Sequence, residues 1–214
     1  MLHFLRQSIN FSAILQLRSL FYHPSLVIPD YSVNSLSEIS MEDLYAKGIR
    51  GIVFDKDNTL SISYENKLHP SVVSTIQKTK AVFKNRIAIL SNSVGSSDDD
   101  NFKGAVATEK GLGLPVIRHI KKKPACIEEV LQFFNQKEGK ASNGEECLLQ
   151  PAQICVVGDR VLTDVVFANT YGMTSILVRP LSIVRDHPVA TIFRFLEYIL
   201  LLVVYLLKNK LKLV

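Results

Sequence analysis

The stretch "GIVFDKDNTL", residues 51–60, joins an apolar run directly to two aspartates that stand two positions apart. The apolar residues are typical of a buried strand, and Asp55 and Asp57 follow it at its carboxyl end. Two carboxylates at a buried sheet edge repel each other and lose hydration, so they need a compensating charge. The stretch is therefore either an ordinary acidic loop or a cation site that performs chemistry.

Strand-like and helix-like segments alternate on both sides of this stretch. Such alternation predicts an α/β fold in which a mostly parallel, Rossmann-like sheet carries helices on both faces. The predicted strands are 49–54, 86–90, 114–118, 152–157 and 173–178, and the main predicted helices are 71–84, 124–135 and 163–171.

Polar residues follow several of the predicted strands. Asp55, Ser91 and Asp159 each come directly after the last apolar residue of a strand, and Lys121–Lys123 follow shortly after another. The carboxyl ends of parallel strands meet at one edge of the sheet, which is where ligands bind in such folds. We expect these four parts of the sequence to converge there.

The converging residue types suit the transfer of a phosphoryl group. Asp55 can act as a nucleophile and form an aspartyl-phosphate, while Asp57 can protonate the leaving group and later deprotonate water. Asp159 and Asp164 add carboxylates, and oxygen ligands of this kind suit Mg²⁺. Ser91 and neighbouring N–H groups can bind phosphoryl oxygens, with a lysine to offset the negative charge.

The ordered set resembles the haloacid dehalogenase (HAD) superfamily of phosphatases. A lone DxD would be a weak signal, whereas four motifs in the same order, each at a strand end, are specific. The matches are "DKDNT" to DxDxT, "IAILSNS" to the apolar run ending in Ser or Thr, "KKKP" to the lysine before proline, and "VVGDRVLTD" to GDxxxxD.

The resemblance implies a role for each matching residue. Lys123 is the preferred lysine because it directly precedes Pro124, Lys122 is the second choice, and Lys121 is expected to be solvated. The implied catalytic residues are Asp55 and Asp57, the implied metal ligands are Asp55, Asp57, Asp159 and Asp164, and the implied phosphate-binding residues are Thr59, Ser91, Asn92 and the lysine.

The sequence leaves the roles of three further features less defined: Arg160, Asn58 and the acidic run Asp98–Asp100. Arg160 either contacts a second phosphate or glycerol oxygen of the substrate, or caps a helix, or pairs with an acid. Asn58 stands where glycine is frequent, and Asn tolerates the backbone angles of such a turn. The run Asp98–Asp100 is interpreted as a solvated loop rather than a metal site.

HAD enzymes often carry a cap domain after the first or second motif. Here about thirty residues separate Asp57 from Ser91, and about thirty more separate Ser91 from Lys123. The predicted helices use up that length, so we expect a capless, open site. An open site cannot exclude water by closure, and it suits a macromolecule or a lipid head group that covers the site itself.

In their detailed sequence, the motifs are similar to those of the mitochondrial phosphatidylglycerophosphate phosphatases and the related bacterial YqeG-type proteins. "HPSLVIPD", residues 23–30, echoes the entry segment of that family, and the resemblance covers roughly residues 20–200. It implies a Mg²⁺-dependent enzyme that converts phosphatidylglycerophosphate to phosphatidylglycerol on the way to cardiolipin. It also implies action at the matrix face of the inner mitochondrial membrane.

Both ends of the chain have a membrane-prone composition. Residues 1–29 lack acidic residues and are partly amphipathic, which favours a membrane-lying or mitochondrial targeting segment over a helix that packs on the core. Residues 187–214 contain an apolar run of ten residues followed by three lysines, Lys208, Lys210 and Lys212. Because spanning needs roughly 20 apolar residues, a membrane-associated helix is favoured over a span. The phosphatase domain is predicted between these ends, over 30–186.

Composition limits the partners. A net charge of +5 suits phosphate-bearing partners such as an anionic membrane surface. Aromatic residues are not interleaved with basic ones, so nucleic acid is not an expected partner. The three cysteines form no CxxC pair and are expected to be reduced thiols. The alternatives to a lipid phosphatase are a HAD phosphatase acting on a soluble ester or nucleotide, and a non-catalytic scaffold.

Overall fold

A parallel five-stranded sheet forms the centre of the described chain. The computed structural model describes residues 23–136, 148–182, 196–197 and 199–206. Within these residues the strands lie in the order β1-β5-β4-β2-β3, and every neighbouring pair is parallel. The strands are β1 Tyr31–Val33, β2 Gly51–Phe54, β3 Ile87–Ile89, β4 Ile154–Gly158 and β5 Thr174–Val178.

Helices connect the strands, and polar caps define several of their ends. Ser40 Oγ accepts the N–H of Asp43 at the start of α1, and Gly113, with φ of 65°, ends α3. A π-helical turn at Val161–Val165 leads into α5. The α-helices are α1 Met41–Ala46, α2 Val73–Phe83, α3 Lys103–Leu112, α4 Ile127–Gln136, α5 Val166–Thr170 and a C-terminal helix at residues 196–197 and 199–206.

The two faces of the sheet build two separate cores. Successive side chains of a strand point to opposite faces, so Ile52 and Phe54 face one core and Val53 faces the other. The first core includes residues of α1, α2 and α3, and the second includes residues of α4 and α5. Strands buried on both faces explain the unbroken apolar runs of β2 and β4. The predicted α/β fold with a parallel sheet is confirmed.

One predicted strand is wrong. Residues 114–118 make only an isolated bridge, between Ile89 and Val116. Pro115 has no N–H to offer a neighbour, and the N–H of Val116 is donated to Glu109 Oε1 at 2.8 Å. The segment therefore continues beside β3 as irregular backbone.

The fifth strand of the sheet is β1, which the sequence did not indicate. It is three residues long and its first two residues are exposed, so no apolar run marks it. The carboxylate of Asp30 accepts the N–H of Ser175 at 2.9 Å, which holds β1 against β5. Helix α4 also begins three residues later than predicted, at Ile127.

The C-terminal helix packs on the chain with one face only. Val204 is buried and Leu200 and Leu201 are partly buried against a cluster that includes Val27 and Val165. In the described part of the chain, no helix has the length and apolar content needed to cross a bilayer. Residues 1–22, residues 137–147 and the terminal lysines Lys208, Lys210 and Lys212 lie outside the described residues.

Candidate active site

Asp55 lies at the carboxyl end of a central strand. It directly follows β2, and its N–H donates to the carbonyl oxygen of Val157 in β4 at 2.8 Å. This bond continues the ladder that pairs Phe54 with Val157. The side chain is only 13% exposed. The position of the carboxylate is therefore set by two fully buried strands of the sheet, β2 and β4.

Lys123 connects Asp55 to the residues after β4. Its ammonium lies 2.6 Å from Asp55 Oδ1 and 2.5 Å from Asp164 Oδ1, and its side chain is 2% exposed. Burial opposes the charged form, but Asp164 and Asp55 together raise the pKa of Lys123 above its ordinary value. Lys122 points to Asp98, with 2.5 Å between its Nζ and Oδ2. The preferred lysine of the sequence analysis is thus the one that reaches Asp55.

Three carboxylates lie close together here, and two of them contact Lys123. Oxygens of Asp55, Asp159 and Asp164 lie within 4.8 Å of one another. Burial raises the pKa of Asp55 from 3.8 to about 6, Lys123 opposes the rise, and Asp164 adds to it. Taken by themselves, these three carboxylates and the Lys123 ammonium contain more negative than positive groups. All-oxygen donors with excess negative charge fit a hard divalent cation such as Mg²⁺.

Asp57 lies beside this cluster, and the described contacts of its carboxylate are with other groups. Oδ1 accepts from Lys56 Nζ at 2.7 Å and from the N–H of Tyr64 at 3.2 Å, and Oδ2 accepts from Ser93 Oγ at 3.3 Å. The side chain is 32% exposed, more than that of Asp55. The predicted metal ligands therefore separate into a clustered set of three and Asp57. The partly exposed position of Asp57, outside the cluster, suits proton exchange with a leaving group.

The phosphate-binding candidates lie on the loop after β3. Ser91 is buried, and its Oγ accepts the N–H groups of Ser93 at 3.3 Å and Val94 at 3.5 Å. Asn92 Oδ1 accepts the N–H of Lys123 at 2.8 Å, which ties this loop to the lysine loop. Thr59 is 1% exposed, and no hydrogen-bond partner for its Oγ1 is found among the described residues.

Asn58 has a φ of 61°, the left-handed conformation that the sequence analysis expects at this turn. Its backbone N–H donates to the carbonyl oxygen of Ser61 at 2.7 Å, which closes the turn. Thr59, the next residue of the turn, is buried.

His119 is a positioning residue that sequence analysis missed. It is 2% exposed, and its two ring nitrogens contact the carbonyl oxygens of Lys121 at 2.6 Å and Ser91 at 2.8 Å. One imidazole thus bridges the two loops that carry Ser91 and Lys123. A single histidine without a motif gives no signal in the sequence. Lys56, which stands between the two aspartates in "DKD", offered a local signal that was overlooked.

The acidic run at 98–100 is only partly the solvated loop that the sequence predicts. Asp100 is exposed and pairs with Lys103. Asp99 instead accepts the N–H groups of Gly95, Gly104 and Ala105 at 2.8–2.9 Å, which closes the loop and starts α3. Asp98 is the partner of Lys122 described above. The run therefore shapes the loop after Ser91.

Arg160 contacts the C-terminal helix. Its guanidinium lies 3.5 Å from Glu197 Oε1, and Glu197 Oε2 accepts the N–H of Val161 at 3.2 Å. Glu197 is 2% exposed. Of the alternatives for Arg160, the structure therefore shows a pairing with an acid. This contact places Glu197 of the C-terminal helix at the site edge of the sheet.

The chain is similar to proteins of known name. Residues 11–181 match a family model described as "Mitochondrial PGP phosphatase". The chain belongs to this family. The resemblance to the mitochondrial phosphatidylglycerophosphate phosphatases is confirmed. No solved structure matches the chain.

Three relatives illustrate the range of the family. "Phosphatidylglycerophosphate phosphatase 1, chloroplastic/mitochondrial" of Arabidopsis thaliana is 37% identical over 177 residues, 82% of this chain and 47% of that protein. This chain thus spans about half of that relative. "Phosphatidylglycerophosphatase GEP4, mitochondrial" of Saccharomyces cerevisiae is 30% identical over 79% of this chain and 87% of its own length. "Probable phosphatase YqeG" of Bacillus subtilis is 27% identical over 72% and 78%.

Proposed function

We propose that the chain hydrolyses the terminal phosphate of phosphatidylglycerophosphate and releases phosphatidylglycerol and inorganic phosphate. The observation that carries the proposal is the position of Asp55, a strand-end carboxylate 2.6 Å from the Lys123 ammonium and clustered with Asp159 and Asp164. The names of the family and of its relatives supply the substrate. The setting is the cardiolipin pathway at the matrix face of the inner mitochondrial membrane.

The first step transfers the phosphoryl group to Asp55. A carboxylate oxygen attacks phosphorus, and the bond from phosphorus to the glycerol oxygen breaks. Asp57 gives a proton to that oxygen, so phosphatidylglycerol leaves as a neutral alcohol. Lys123, Ser91 and the N–H groups beyond it stabilise the negative charge on the phosphoryl oxygens.

The second step returns the enzyme to its starting state. Asp57 takes a proton from water, the water oxygen attacks phosphorus, and the bond to Asp55 breaks. Inorganic phosphate leaves. The exposure of Asp57 and its contacts with Lys56 and Ser93 suit both directions of proton transfer. Asn92 and Thr59 position the loops around the phosphate.

Asp55, Asp159 and Asp164 are the residues that would hold Mg²⁺. Their fit rests on their shared all-oxygen chemistry, their separation within 4.8 Å and the raised pKa of Asp55. When bound, the ion neutralises charge on the carboxylates and the phosphoryl oxygens. Without it, Lys123 is the cation that this chain itself provides.

The fold around the site is proposed to be a capless HAD fold. Between Asp57 and Lys123 the chain contains α2, β3 and α3 with their loops and 3₁₀ turns. With only these elements between Asp57 and Lys123, the carboxyl edge of the sheet is left open to a large substrate. The C-terminal helix exposes apolar residues beside that edge, and we propose that it lies on the membrane from which the substrate comes.

Purified full-length protein with Mg²⁺ tests this function. We expect Asp55-dependent phosphate release from phosphatidylglycerophosphate in mixed micelles, and much slower release from glycerol 3-phosphate, a nucleotide and phosphatidic acid. Chelation of the metal should abolish the activity. Equal or faster release from the soluble esters would replace the lipid assignment with a general phosphatase, and no release from any of them would favour a scaffold.

Gly158→Ala is expected to lower this activity by about 100-fold. A Cβ at this position would lie 2.2 Å from Asp164 Oδ2, and Asp164 is held in place by Lys123 and by the N–H of Arg160. The carboxylate must therefore leave its position. Initial rates give the loss, and circular dichroism checks that the fold is kept. A folded variant with full activity would show that the placement of Asp164 is dispensable.

A further inference from the structure

Two exposed apolar side chains stand out in the described chain. Ile120 is 78% exposed and Tyr64 is 73% exposed, while no other large apolar residue described exceeds 58%. Single exposed apolar residues are ordinary on protein surfaces. These two differ because both lie on loops that are hydrogen-bonded to the candidate active site.

Tyr64 belongs to the loop after the first motif. Its backbone N–H donates to Asp57 Oδ1 at 3.2 Å, and its φ of 69° is a left-handed conformation uncommon for a tyrosine. The hydrogen bond fixes the backbone against the candidate acid and base. The exposed fraction shows that the ring projects outward from this fixed point.

Ile120 belongs to the loop that carries Lys123. It follows His119, which is buried and bonded to the carbonyl oxygens of Ser91 and Lys121. The backbone on both sides of Ile120 is thereby held against the site, while its own side chain points outward. Tyr64 and Ile120 therefore come from two different loops at the same edge of the sheet.

Basic groups accompany the two apolar side chains. Lys121 is next to Ile120, its side chain is 60% exposed, and its Nζ lies 3.6 Å from Glu128 Oε2. Arg160, 30% exposed, comes two residues after the end of β4. Glu197 of the C-terminal helix contacts Arg160 and the N–H of Val161. That helix exposes a further set of apolar residues: Leu196, Ile199, Leu202, Val203, Tyr205 and Leu206.

We infer that the edge of the sheet around the active site is a bilayer-docking surface, with Tyr64 and Ile120 entering the headgroup region of an anionic membrane. Apolar and tyrosine side chains beside basic ones match the chemistry of such an interface. The net charge of +5 agrees with an anionic surface. The inference rests on the proposed function, because the substrate is then a membrane lipid. Docking of this edge on the bilayer would place the substrate phosphate beside Asp55 while the acyl chains stay in the bilayer.

The test compares full-length wild type with Tyr64→Asn/Ile120→Asn and with Leu148→Asn as a matched control. Asparagine tolerates the left-handed backbone at 64. Leu148 is 49% exposed and precedes β4, at the amino edge of the sheet. Flotation measures binding to vesicles of phosphatidylcholine and phosphatidylglycerol, and needs no catalysis. Phosphate release is measured from vesicle-borne phosphatidylglycerophosphate and from a short-chain analogue dissolved as monomer.

We expect the double variant to bind the vesicles about 10- to 100-fold more weakly than wild type or Leu148→Asn. Its apparent KM for the vesicle-borne lipid should rise by a similar factor, with kcat and the rate on the dissolved analogue within about twofold. Equal vesicle binding by all three proteins would overturn the inference. Equal losses on the dissolved analogue would also overturn it, because the loops would then act on the site itself.

Two further outcomes separate this inference from its alternatives. If wild type forms dimers in sedimentation velocity and the double variant does not, with unchanged vesicle binding, the surface is an interface between copies of the chain and the inference fails. If wild type hydrolyses neither lipid, the proposed function fails. Vesicle binding that still depends on Tyr64 and Ile120 would in that case support the docking surface by itself.

Discussion

Asp55→Asn is expected to lower phosphate release by about 10⁴-fold or more, because the amide cannot form the covalent intermediate. The same change is expected to stabilise the metal-free protein. Burial raises the pKa of Asp55 from 3.8 to about 6, so the folded state disfavours the ionised carboxyl. Below about pH 4 the carboxyl is protonated in both the folded and the unfolded state, so it does not lower the free energy of unfolding. As the pH rises from 3.8 to about 6, ionisation of Asp55 lowers the free energy of unfolding progressively. Above about pH 6 this loss of stability has reached its full size.

The size of the effect follows from the pKa difference. The interval between 3.8 and about 6 corresponds to at most about 3 kcal/mol, and we expect Asn to recover about 1–3 kcal/mol because its amide still accepts from Lys123. Urea unfolding in EDTA at about pH 7.5 and about pH 4.5 measures the difference, which should shrink at the lower pH. Asp98→Asn is the control, a carboxylate outside the cluster. Equal stability of Asp55→Asn and wild type at the higher pH would contradict the charge imbalance that we infer.

Lys123→Met is expected to reduce activity by about 10³-fold, and Lys122→Met by less than about tenfold. The two lysines are adjacent but have different partners: Lys123 lies between Asp55 and Asp164, while Lys122 pairs with Asp98. Removing the buried ammonium takes away the positive charge that contacts Asp55 and Asp164, which costs about 3–5 kcal/mol of folding free energy. The stability loss should therefore be large for Lys123→Met and small for the partly exposed Lys122.

Phosphate release and urea unfolding, with and without Mg²⁺, measure both effects. Mg²⁺ should recover part of the stability of Lys123→Met, since a divalent cation replaces the missing charge. This recovery keeps the test informative even if the metal-free variant is poorly folded. A larger loss of activity for Lys122→Met than for Lys123→Met would reverse the assignment of the lysine.

The sequence predicted the sheet because buried parallel strands leave unbroken apolar runs and polar residues follow them directly. Asp55, Ser91 and Asp159 follow strands in this way, which is why their convergence was predictable. The short strand β1 has no such run, and its attachment depends on Asp30 meeting Ser175, 145 residues away. A contact of that kind has no local pattern.

The supporting residues were harder to predict for the same reason. His119 gains its role from two backbone carbonyls on separate loops, and Glu197 gains its role from Arg160 and Val161, 36 residues or more away along the chain. Residues that act through distant partners become visible only in the folded chain.

The short connections between β2 and Lys123 bear on the timing of the reaction. With only α2, β3 and α3 and their loops and 3₁₀ turns in that interval, no separate domain has to swing away from Asp55 between the two steps. In the mechanism that we propose, the lifetime of the acyl-phosphate on Asp55 would then be set by how quickly Asp57 activates water, and not by the opening of a lid. The proposed mechanism therefore contains no step in which the intermediate waits behind a lid for another acceptor alcohol, and water is its expected acceptor.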